Sequence, residues 1–318
     1  MSAVARVSFI IPTFNEAGSI AAVIESIHHA VQDRFPLEVT VVDNGSKDAT
    51  VEVARGLGVR VISDPAGTVA GLRNKGAAVS AGEVYVFLDG DVLLTDEWSR
   101  HILEVLTLLA RDPEIVTGST CGISTTGNWI EEYWFKPLLA RQSAYINSGH
   151  LVVSRRLFEA IGGFDEKLKS GEDYDFSQRA RAAGARIIND PRLAVVHEGY
   201  PKTLVGFVRR EIWHGQGDFH SLRSVMASKV ALASIGFLGL HLALLGVILT
   251  GWGGLRLAAA LVIAIAALCL GVSLARYRRP IWAVLVNGYL YYWYFLARGL
   301  SPLSLLGRPR RGWRSSPA

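Results

Sequence analysis

Two carboxylates separated by a single glycine, Asp89-Gly90-Asp91, directly follow an apolar run of strand length, Val84–Leu88. The run is rich in β-branched and aromatic residues, which is typical of a buried strand. The two aspartates therefore stand at the carboxyl end of a strand, where ligands bind in open α/β sheets. Their oxygens suit Mg²⁺ or Mn²⁺, especially when the ion also holds a diphosphate. Asp-Gly is also a common turn dipeptide, so a strand-closing turn is the alternative interpretation.

The elements that must position these aspartates alternate between strands and helices. The apolar patterns predict strands at 7–11, 38–42, 59–62 and 84–88, with helices at 17–31, 49–57 and 70–80 between them. Such alternation implies a parallel sheet with right-handed crossovers. We expect Pro12 to end the first strand. Because the polar clusters 12–16, 43–48 and 89–91 each follow a strand, we expect them to meet at one sheet edge, as in a nucleotide pocket.

The glycine motifs of two other classes of nucleotide-binding enzyme do not occur in the sequence. No Gly-x-Gly-x-x-Gly follows the first strand and no Gly-Lys-Ser/Thr loop exists, which argues against a dinucleotide dehydrogenase and a P-loop enzyme. Asp43, at a strand end, could bond a base or a ribose, or could simply form a turn. Asn15-Glu16 could likewise be an ordinary helix-start pair.

Four short segments, taken in order, resemble the successive motifs of the family 2 glycosyltransferases: Ile11–Glu16, Val42–Asp48, Arg73–Gly76 and Leu88–Asp91. The resemblance covers about residues 5–215. It implies a GT-A fold, which is an α/β, Rossmann-like, mostly parallel sheet flanked by helices. It also implies a nucleotide-sugar donor, a divalent cation and inversion at the anomeric carbon. Asn44 stands where the family often has a second aspartate, and we expect this departure to be tolerated.

The resemblance also implies donor-side roles for the matching residues. Pro12, Thr13 and Glu16 would line the nucleotide. Asp43 would meet the base, and Arg73 would lie near the base or diphosphate. Asp89 would face the ribose or sugar and approach the metal, and Asp91 would hold the metal. The cation would stabilise the negative charge that grows on the leaving diphosphate. Arg209, Arg210 and Trp213 would close over the diphosphate. They could also belong to an interfacial helix with its arginines at lipid phosphates, and the two roles are compatible.

An inverting transfer also needs a general base on the face opposite the leaving group. Gly162–Glu166 and Glu172-Asp173 resemble the acceptor-side motifs of the family, which implies Asp173 as the base and Glu172 as its support or as an acceptor contact. The alternative is that these acids only stabilise a helix N-terminus. His197, at the end of a predicted strand, would either join the metal ligands or simply terminate that strand. Trp213 lacks the preceding Gln-x-x-Arg of the family's processive synthases, so we expect transfer of a single sugar.

Charge divides the chain into two unlike parts. The 318 residues carry a formal net charge of +5, but residues 1–200 have a net charge of −7 and residues 201–318 one of +12, with no carboxylate after Asp218. An acidic head with a basic, apolar tail indicates a membrane-facing tail, and the tail is too hydrophobic to favour nucleic acid. We therefore predict a GT-A domain over 1–220 and a membrane region over 221–318. No signal peptide is apparent, and two cysteines make no disulfide framework, so we expect the head to be cytoplasmic.

The apolar runs of the tail predict spans at about 230–250 and 257–275, with a third apolar helix at 281–297 that is spanning or interfacial. With two spans, Arg276, Arg278 and Arg279 return to the cytoplasm, as the positive-inside rule requires. A third span would send Arg298 and the arginines after it outside. We therefore favour a two-span hairpin in the cell (inner) membrane with an interfacial or partly inserted third helix. The alternative, a buried helical core, is disfavoured because the region contains no acidic residue.

The predicted function is inverting transfer of one sugar from a nucleotide sugar to a lipid-linked or saccharide acceptor at the cytoplasmic membrane face. If the acceptor is a lipid phosphate, such as a polyprenyl phosphate, it is already ionised and needs no base. A sugar nucleotidyltransferase shares the sheet and the carboxylates but would release diphosphate. A non-catalytic membrane subunit is the other alternative, and the acids at 89, 91, 172 and 173 argue against it.

Overall fold

The computed structural model describes residues 5–123, 127–139, 145–168, 171–219, 221–276 and 280–305. These residues form two compact units, one from the described parts of 1–125 and 139–199, the other from those of 126–138 and 200–310. The first unit contains the strands, and the second is helical in its described residues. The predicted division at residue 220 between a catalytic head and a membrane region stays a prediction.

The strands of the first unit follow one another in an α/β order. They are β1 (Val7–Thr13), β2 (Leu37–Asp43), β3 (Arg60–Ser63), β4 (Val84–Leu88), β5 (Val92–Leu94), β6 (Ile115–Gly118), β7 (His150–Ser154), β8 (Arg186–Asn189) and β9 (Val195–His197). Within the described residues, seven of them form one sheet in the order β3-β2-β1-β4-β7-β6-β8, and β5 pairs with β9 separately. Only β7 runs antiparallel to its neighbours in the large sheet, so the predicted mostly parallel sheet is confirmed.

The helices cover both faces of this sheet and build the second unit. They are α1 (Ile20–Val31), α2 (Thr50–Gly56), α3 (Val69–Ala78), α4 (Asp96–Arg111), α5 (Lys136–Leu139), α6 (Arg155–Ala160), α7 (Glu172–Ala182), α8 (Leu204–Gly215), α9 (Leu222–Ala227), α10 (Lys229–Thr250), α11 (Gly254–Arg276) and α12 (Ile281–Leu305), with a π-helical turn at Glu131–Phe135. Strand β4 shows why both faces are covered. Val86 and Leu88 lie in the core with α1 and α4, whereas Tyr85 and Phe87 lie in the core with α3, α6 and α7.

Pro12 does not end the first strand, which corrects our expectation. β1 continues to Thr13, and Pro12 lies opposite Val42 of β2. On its other side, β1 stops pairing with β4 at Ile10. A proline is tolerated here because it lies beyond the last pair with β4, where that edge of β1 needs no N–H donor.

The two predicted membrane helices are confirmed as helices that are long and apolar enough to cross a bilayer: α10 and α11. Only 17% of the most apolar stretch of each is buried in the described structure, so their apolar surface is largely open. The third apolar helix, α12, extends to Leu305 and thus includes Arg298. Arg298 forms ion pairs with Glu211 at 2.9 Å and with Asp218 at 3.0 Å, within the second unit.

Gly76 lets α3 lie directly on the sheet. A Cβ added to Gly76 would stand 2.4 Å from Cγ2 of Ile10 and 3.0 Å from Cγ2 of Val42. We expect Gly76→Ala to lower the free energy of unfolding by about 1–3 kcal/mol, because a packed core resists an inserted methyl group. Gly56→Ala is the matched control, since its Cβ meets nothing within 4 Å. That change should leave stability equal or raise it by up to about 1 kcal/mol. Denaturant unfolding measures both, and equal midpoints would contradict the close packing.

Candidate functional site

The carboxyl ends of β1, β2 and β4 bring three polar clusters to one edge of the sheet. The register of the parallel strands places Thr13 opposite Asp43, and Asp89 directly follows β4. The loop after β1 reaches the third cluster, because Ser19 Oγ donates to the carbonyl oxygen of Gly90 at 2.8 Å. Strand geometry thus produces the convergence that the sequence predicts.

A buried arginine joins the acidic pair after β4 to the acidic pair of α7. The guanidinium of Arg73, 2% exposed, donates to Oδ1 of Asp89 at 2.6 Å and to Oε1 of Glu172 at 2.8 Å. Ser148 Oγ donates to the same Glu172 oxygen at 3.0 Å, and the ring of Phe164 lies 5.8 Å below the guanidinium. Burial works against the charged form, but the two carboxylates outweigh it and raise the pKa of Arg73. The arginine therefore stays charged and fixes both acids.

Asp173 differs from its neighbour Glu172 in what its carboxylate contacts. Glu172 is buried, and its Oε1 already accepts two hydrogen bonds. Asp173 is half-buried, and its Oδ1 accepts from the backbone N–H of Tyr174 at 2.8 Å. Burial and the charge of Glu172 raise the pKa of Asp173 to about 6, against the opposing effects of the Tyr174 N–H and Arg73. A carboxylate with this pKa can take up a proton near neutral pH.

Glu16, Asp89 and Asp91 crowd their negative charges together at the sheet edge. Burial, then Asp91 and Asp89, raise the pKa of Glu16 well above its ordinary value. Burial also raises the pKa of Asp91, with Asp89 adding to this and His197 opposing it. Oε2 of Glu16 is buried and has no hydrogen-bond partner among the described residues. A cation next to these acids would relieve their repulsion.

His197 approaches Asp91 because β9 pairs with β5. The register places His197 opposite Val92, and its Nε2 lies 3.5 Å from Oδ1 of Asp91. A Cβ added to Gly199 would stand 1.9 Å from Oδ2 of Asp91, so the carboxylate needs a glycine there. Within the described ranges, no group of three or more His, Cys, Asp or Glu side chains is arranged to hold a metal ion. Asp91 and His197 are adjacent side chains that could hold a divalent cation here.

The side chains of Asp43 and Asn44 both form hydrogen bonds with nearby backbone groups. The carboxylate of Asp43 is 3% exposed and accepts from the backbone N–H groups of Gly45 at 2.9 Å and Ser46 at 3.1 Å. The amide of Asn44 donates to the carbonyl oxygens of Asp64 at 2.8 Å and Gly67 at 3.0 Å. A second aspartate could not make these two bonds, because a carboxylate has no N–H donor. The departure at Asn44 is therefore accommodated by a different local bonding pattern.

The remaining predicted site residues lie in both units. Arg210 and Trp213 belong to α8 of the second unit, where Arg210 donates to Glu211 at 2.7 Å and lies 4.8 Å from the ring of Phe135. Pro12 and Thr13 are the last two residues of β1, in the first unit. The predicted contacts of these residues with a donor stay predictions, as do the metal and base roles.

Sequence reasoning missed the small residues that hold the carboxylates in place. Ser148 donates to Glu172, and a Cβ added to Gly149 would stand 2.7 Å from Oδ2 of Asp89. Gly199 makes the corresponding close approach to Asp91. The only signal in the sequence was the Asn-Ser-Gly cluster before β7, which by itself indicates a turn.

Two family models match the chain. The model described as "Glycosyl transferase family 2" matches residues 8–158, and the model "Glycosyl transferase family group 2" matches residues 119–296, which is more than half of the chain. The second match continues from the sheet into the helical unit.

Curated relatives carry related descriptions. Glycosyltransferase AglE of Haloferax volcanii is 30% identical over 191 residues, which is 56% of this chain and 62% of the relative. The succinoglycan biosynthesis protein ExoA of Rhizobium meliloti is 27% identical over 225 residues, which is 65% of this chain and 67% of the relative. The chain thus spans about two thirds or less of the length of these relatives.

A solved structure shares the fold. The mannosyltransferase PcManGT from Pyrobaculum calidifontis, in complex with GDP-Man and Mn²⁺, aligns with a TM-score of 0.59 and 21% identity. The alignment covers 95% of this chain and 88% of that one. The GT-A fold that the motifs implied is therefore confirmed.

We expect Arg73→Met to lower the free energy of unfolding by about 3–5 kcal/mol, because Asp89 and Glu172 lose their buried counter-charge. Arg186→Met is the matched control. Arg186 pairs with Asp112 at 2.7 Å, but its side chain is 59% exposed. Removing such a surface pair should cost less than about 1 kcal/mol. Thermal and denaturant unfolding measure both variants. Equal losses would show that the buried pairs do not hold the two acidic segments together.

Proposed function

We propose that this chain, which belongs to the family 2 glycosyltransferases, transfers a single sugar, with inversion, from a nucleotide sugar to an acceptor at a membrane surface. The acceptor that we propose is a hydroxyl of a lipid-linked or saccharide molecule. The sheet edge that carries Thr13, Asp43 and Asp89–Asp91 is the proposed donor site.

One observation carries this proposal: the ion pairs of Arg73 with Asp89 and Glu172. Asp89 belongs to the acidic segment that the family motif assigns to the donor. Glu172 belongs to the pair assigned to the acceptor. A single buried guanidinium therefore fixes the donor segment and the base-bearing helix at a set separation. Positioning of two reactants in this way lowers the entropic part of the barrier.

Asp173 is the proposed general base. Its carboxylate takes the proton of the acceptor hydroxyl while the hydroxyl oxygen forms a bond to the anomeric carbon. The bond between that carbon and the diphosphate oxygen breaks on the opposite face, so the configuration inverts and a nucleoside diphosphate leaves. Glu172, whose Oε1 is held by Arg73 and Ser148, positions Asp173 and adds the negative charge that keeps its pKa near neutral.

Asp91 and His197 are the proposed protein ligands of a divalent cation, Mg²⁺ or Mn²⁺, with Asp89 beside them. Such an ion, when bound with the donor, would neutralise charge on the leaving diphosphate. The crowding at the sheet edge supports this assignment, because Asp91 and Asp89 raise the pKa of Glu16 and Asp89 raises the pKa of Asp91. The structural neighbour PcManGT was solved with GDP-Man and Mn²⁺, which supports the presence of a divalent cation.

The membrane assignment rests on α10 and α11 and on the basic tail. We propose that these helices form a hairpin in the cell (inner) membrane, with the sheet domain in the cytoplasm. A membrane-bound transferase meets lipid-linked acceptors at high local concentration, which favours them over free sugars. The apolar hairpin equally suits a polyprenyl phosphate, and this is the second candidate acceptor. The two candidates differ in whether they need Asp173.

Asp173→Asn should lower kcat for transfer to a hydroxyl by about 10²–10⁴-fold, with little change in KM for the donor, because the base is lost. The acid limb of kcat/KM should have an apparent pKa of about 6 in the wild type, since only the deprotonated carboxylate accepts a proton. Below that pH the rate should fall about tenfold per unit, and the limb should vanish in the variant. Asp175→Asn, on the same helix and paired with Arg179 at 2.8 Å, is the control. Near-normal transfer to a hydroxyl by Asp173→Asn would refute the assignment of Asp173 as the base.

Asp91→Ala should abolish the part of nucleotide binding that depends on the divalent cation. Calorimetric titration of UDP and GDP, each with and without MnCl₂, measures this directly. We expect the wild type to bind its nucleotide more tightly with Mn²⁺ and the variant to bind equally in both buffers. Asp96→Ala is the control, since Asp96 is an exposed residue of α4. A variant that retains the full Mn²⁺ effect would refute the role of Asp91.

A further inference from the structure

Helices α10 and α11 follow one another through the short turn 251–253 and pack side by side as an antiparallel hairpin. The start of α10 at Lys229 and the end of α11 at Arg276 therefore lie at the same end of the hairpin, which we call the near end. Trp252 lies at the far end. Twenty-two residues of helix span about 33 Å, which matches the hydrocarbon core of a bilayer.

The first part of α12 contacts α11 close to the near end. Ser273 Oγ donates to the carbonyl oxygen of Val284 at 3.0 Å, and Arg276 Nη1 donates to the hydroxyl of Tyr291 at 2.9 Å. Ser273 and Arg276 belong to the last turn of α11. α12 thus begins beside the end of α11.

The second part of α12 runs back along α10. Tyr292 packs on Phe237, and its hydroxyl lies 3.3 Å from Nε2 of His241. Seven residues later, a Cβ added to Gly299 would stand 2.6 Å from Leu238 and 3.3 Å from the carbonyl oxygen of Ser234. The partners on α10 therefore move toward Lys229 as α12 advances. A helix that crossed from the near end to the far end would show the opposite order.

The last part of α12 contacts residues that precede α10 in the chain. Arg298 pairs with Glu211 and Asp218, and Ser304 Oγ accepts from Gln216 Nε2 at 3.0 Å. These partners lie before the start of α10 and so belong to the near end. Although its 25 residues would be long enough to cross a bilayer, α12 has both ends at one end of the hairpin.

We infer that α12 does not cross the membrane but lies across the near half of the hairpin, embedded in a single leaflet. This inference rests on the proposed membrane anchoring of α10 and α11. The exposed apolar stripe of α12, Ile281, Leu285 and Tyr289, faces the lipid of that leaflet. Two aromatic contacts involve α12: its Tyr289 packs against Trp129, and its Trp282 packs against Tyr133. Tryptophan and tyrosine prefer the interface between headgroups and acyl chains, which fits this depth.

Single cysteines test the inference in the full chain. Cys121 and Cys269, both buried, are first replaced by alanine. Cysteine is then introduced at three exposed positions: Leu222→Cys before the hairpin, Trp252→Cys at its far end and Leu303→Cys near the end of α12. Sealed right-side-out vesicles and sealed inverted vesicles are treated separately with a membrane-impermeant maleimide. Labelling after detergent gives the total amount of reactive cysteine.

The Leu222→Cys and Trp252→Cys variants should label from opposite sides of the membrane. The Leu303→Cys variant should label from the same side as Leu222→Cys, or only after detergent. Labelling of Leu303→Cys from the side that labels Trp252→Cys would overturn the inference, because α12 would then cross. Labelling of Leu222→Cys and Trp252→Cys from the same side would instead refute the membrane hairpin itself. The two failures are therefore distinct.

A second measurement tests what covers the exposed stripe. Leu285→Cys in the same cysteine-free background is oxidised in native membranes with copper phenanthroline. A lipid-facing position should give no intermolecular disulfide on a non-reducing gel. A disulfide-linked dimer would assign the stripe to a second copy of the chain and overturn its contact with lipid.

Discussion

The charge of one buried side chain, Arg73, is the constraint on which the site depends. A guanidinium can be buried only if carboxylates compensate it, because an unpaired buried charge is strongly unfavourable. Its partners are Asp89, at the end of β4, and Glu172, at the start of α7. The two segments must therefore fold around the arginine together. Gly76, one turn further along α3, lets that helix approach the sheet closely enough for Arg73 to reach both acids.

The same arrangement divides the acids of the site into two sets. Glu172 and Asp89 are compensated by Arg73, so they are part of the folded framework. Glu16 and Asp91 have raised pKa values because burial and neighbouring acids act on them, and His197 opposes this at Asp91. Acids crowded in this way are suited to bind a divalent cation, whose charge would relieve their repulsion. Asp173 lies at the boundary, with its pKa set by burial and Glu172.

Local patterns predicted the strands and most of the clusters at the sheet edge, because burial and strand periodicity are properties of consecutive residues. They failed where a contact between distant segments decides the outcome. Pro12 stays within β1 because its strand has lost β4 as a neighbour. The departure at Asn44 was expected to be tolerated, but the carbonyl groups of residues 64 and 67 that its amide bonds could not be foreseen. The partners of Arg73 and the glycine at 199 could not be predicted either, since they come from strands and helices far along the chain. The apolar character of α12 could be read from the sequence, but its direction across the hairpin could not.

We propose that the acids at the sheet edge and on α7 serve glycosyl transfer from a nucleotide sugar. The most direct measurement is ³¹P and ¹H NMR of the full chain in native membranes, supplied with a panel of UDP- and GDP-sugars and a divalent cation. We predict that one donor yields a nucleoside diphosphate together with a sugar product whose anomeric configuration is the reverse of the donor's. Release of inorganic diphosphate, retention of configuration, or no turnover of any donor would contradict it.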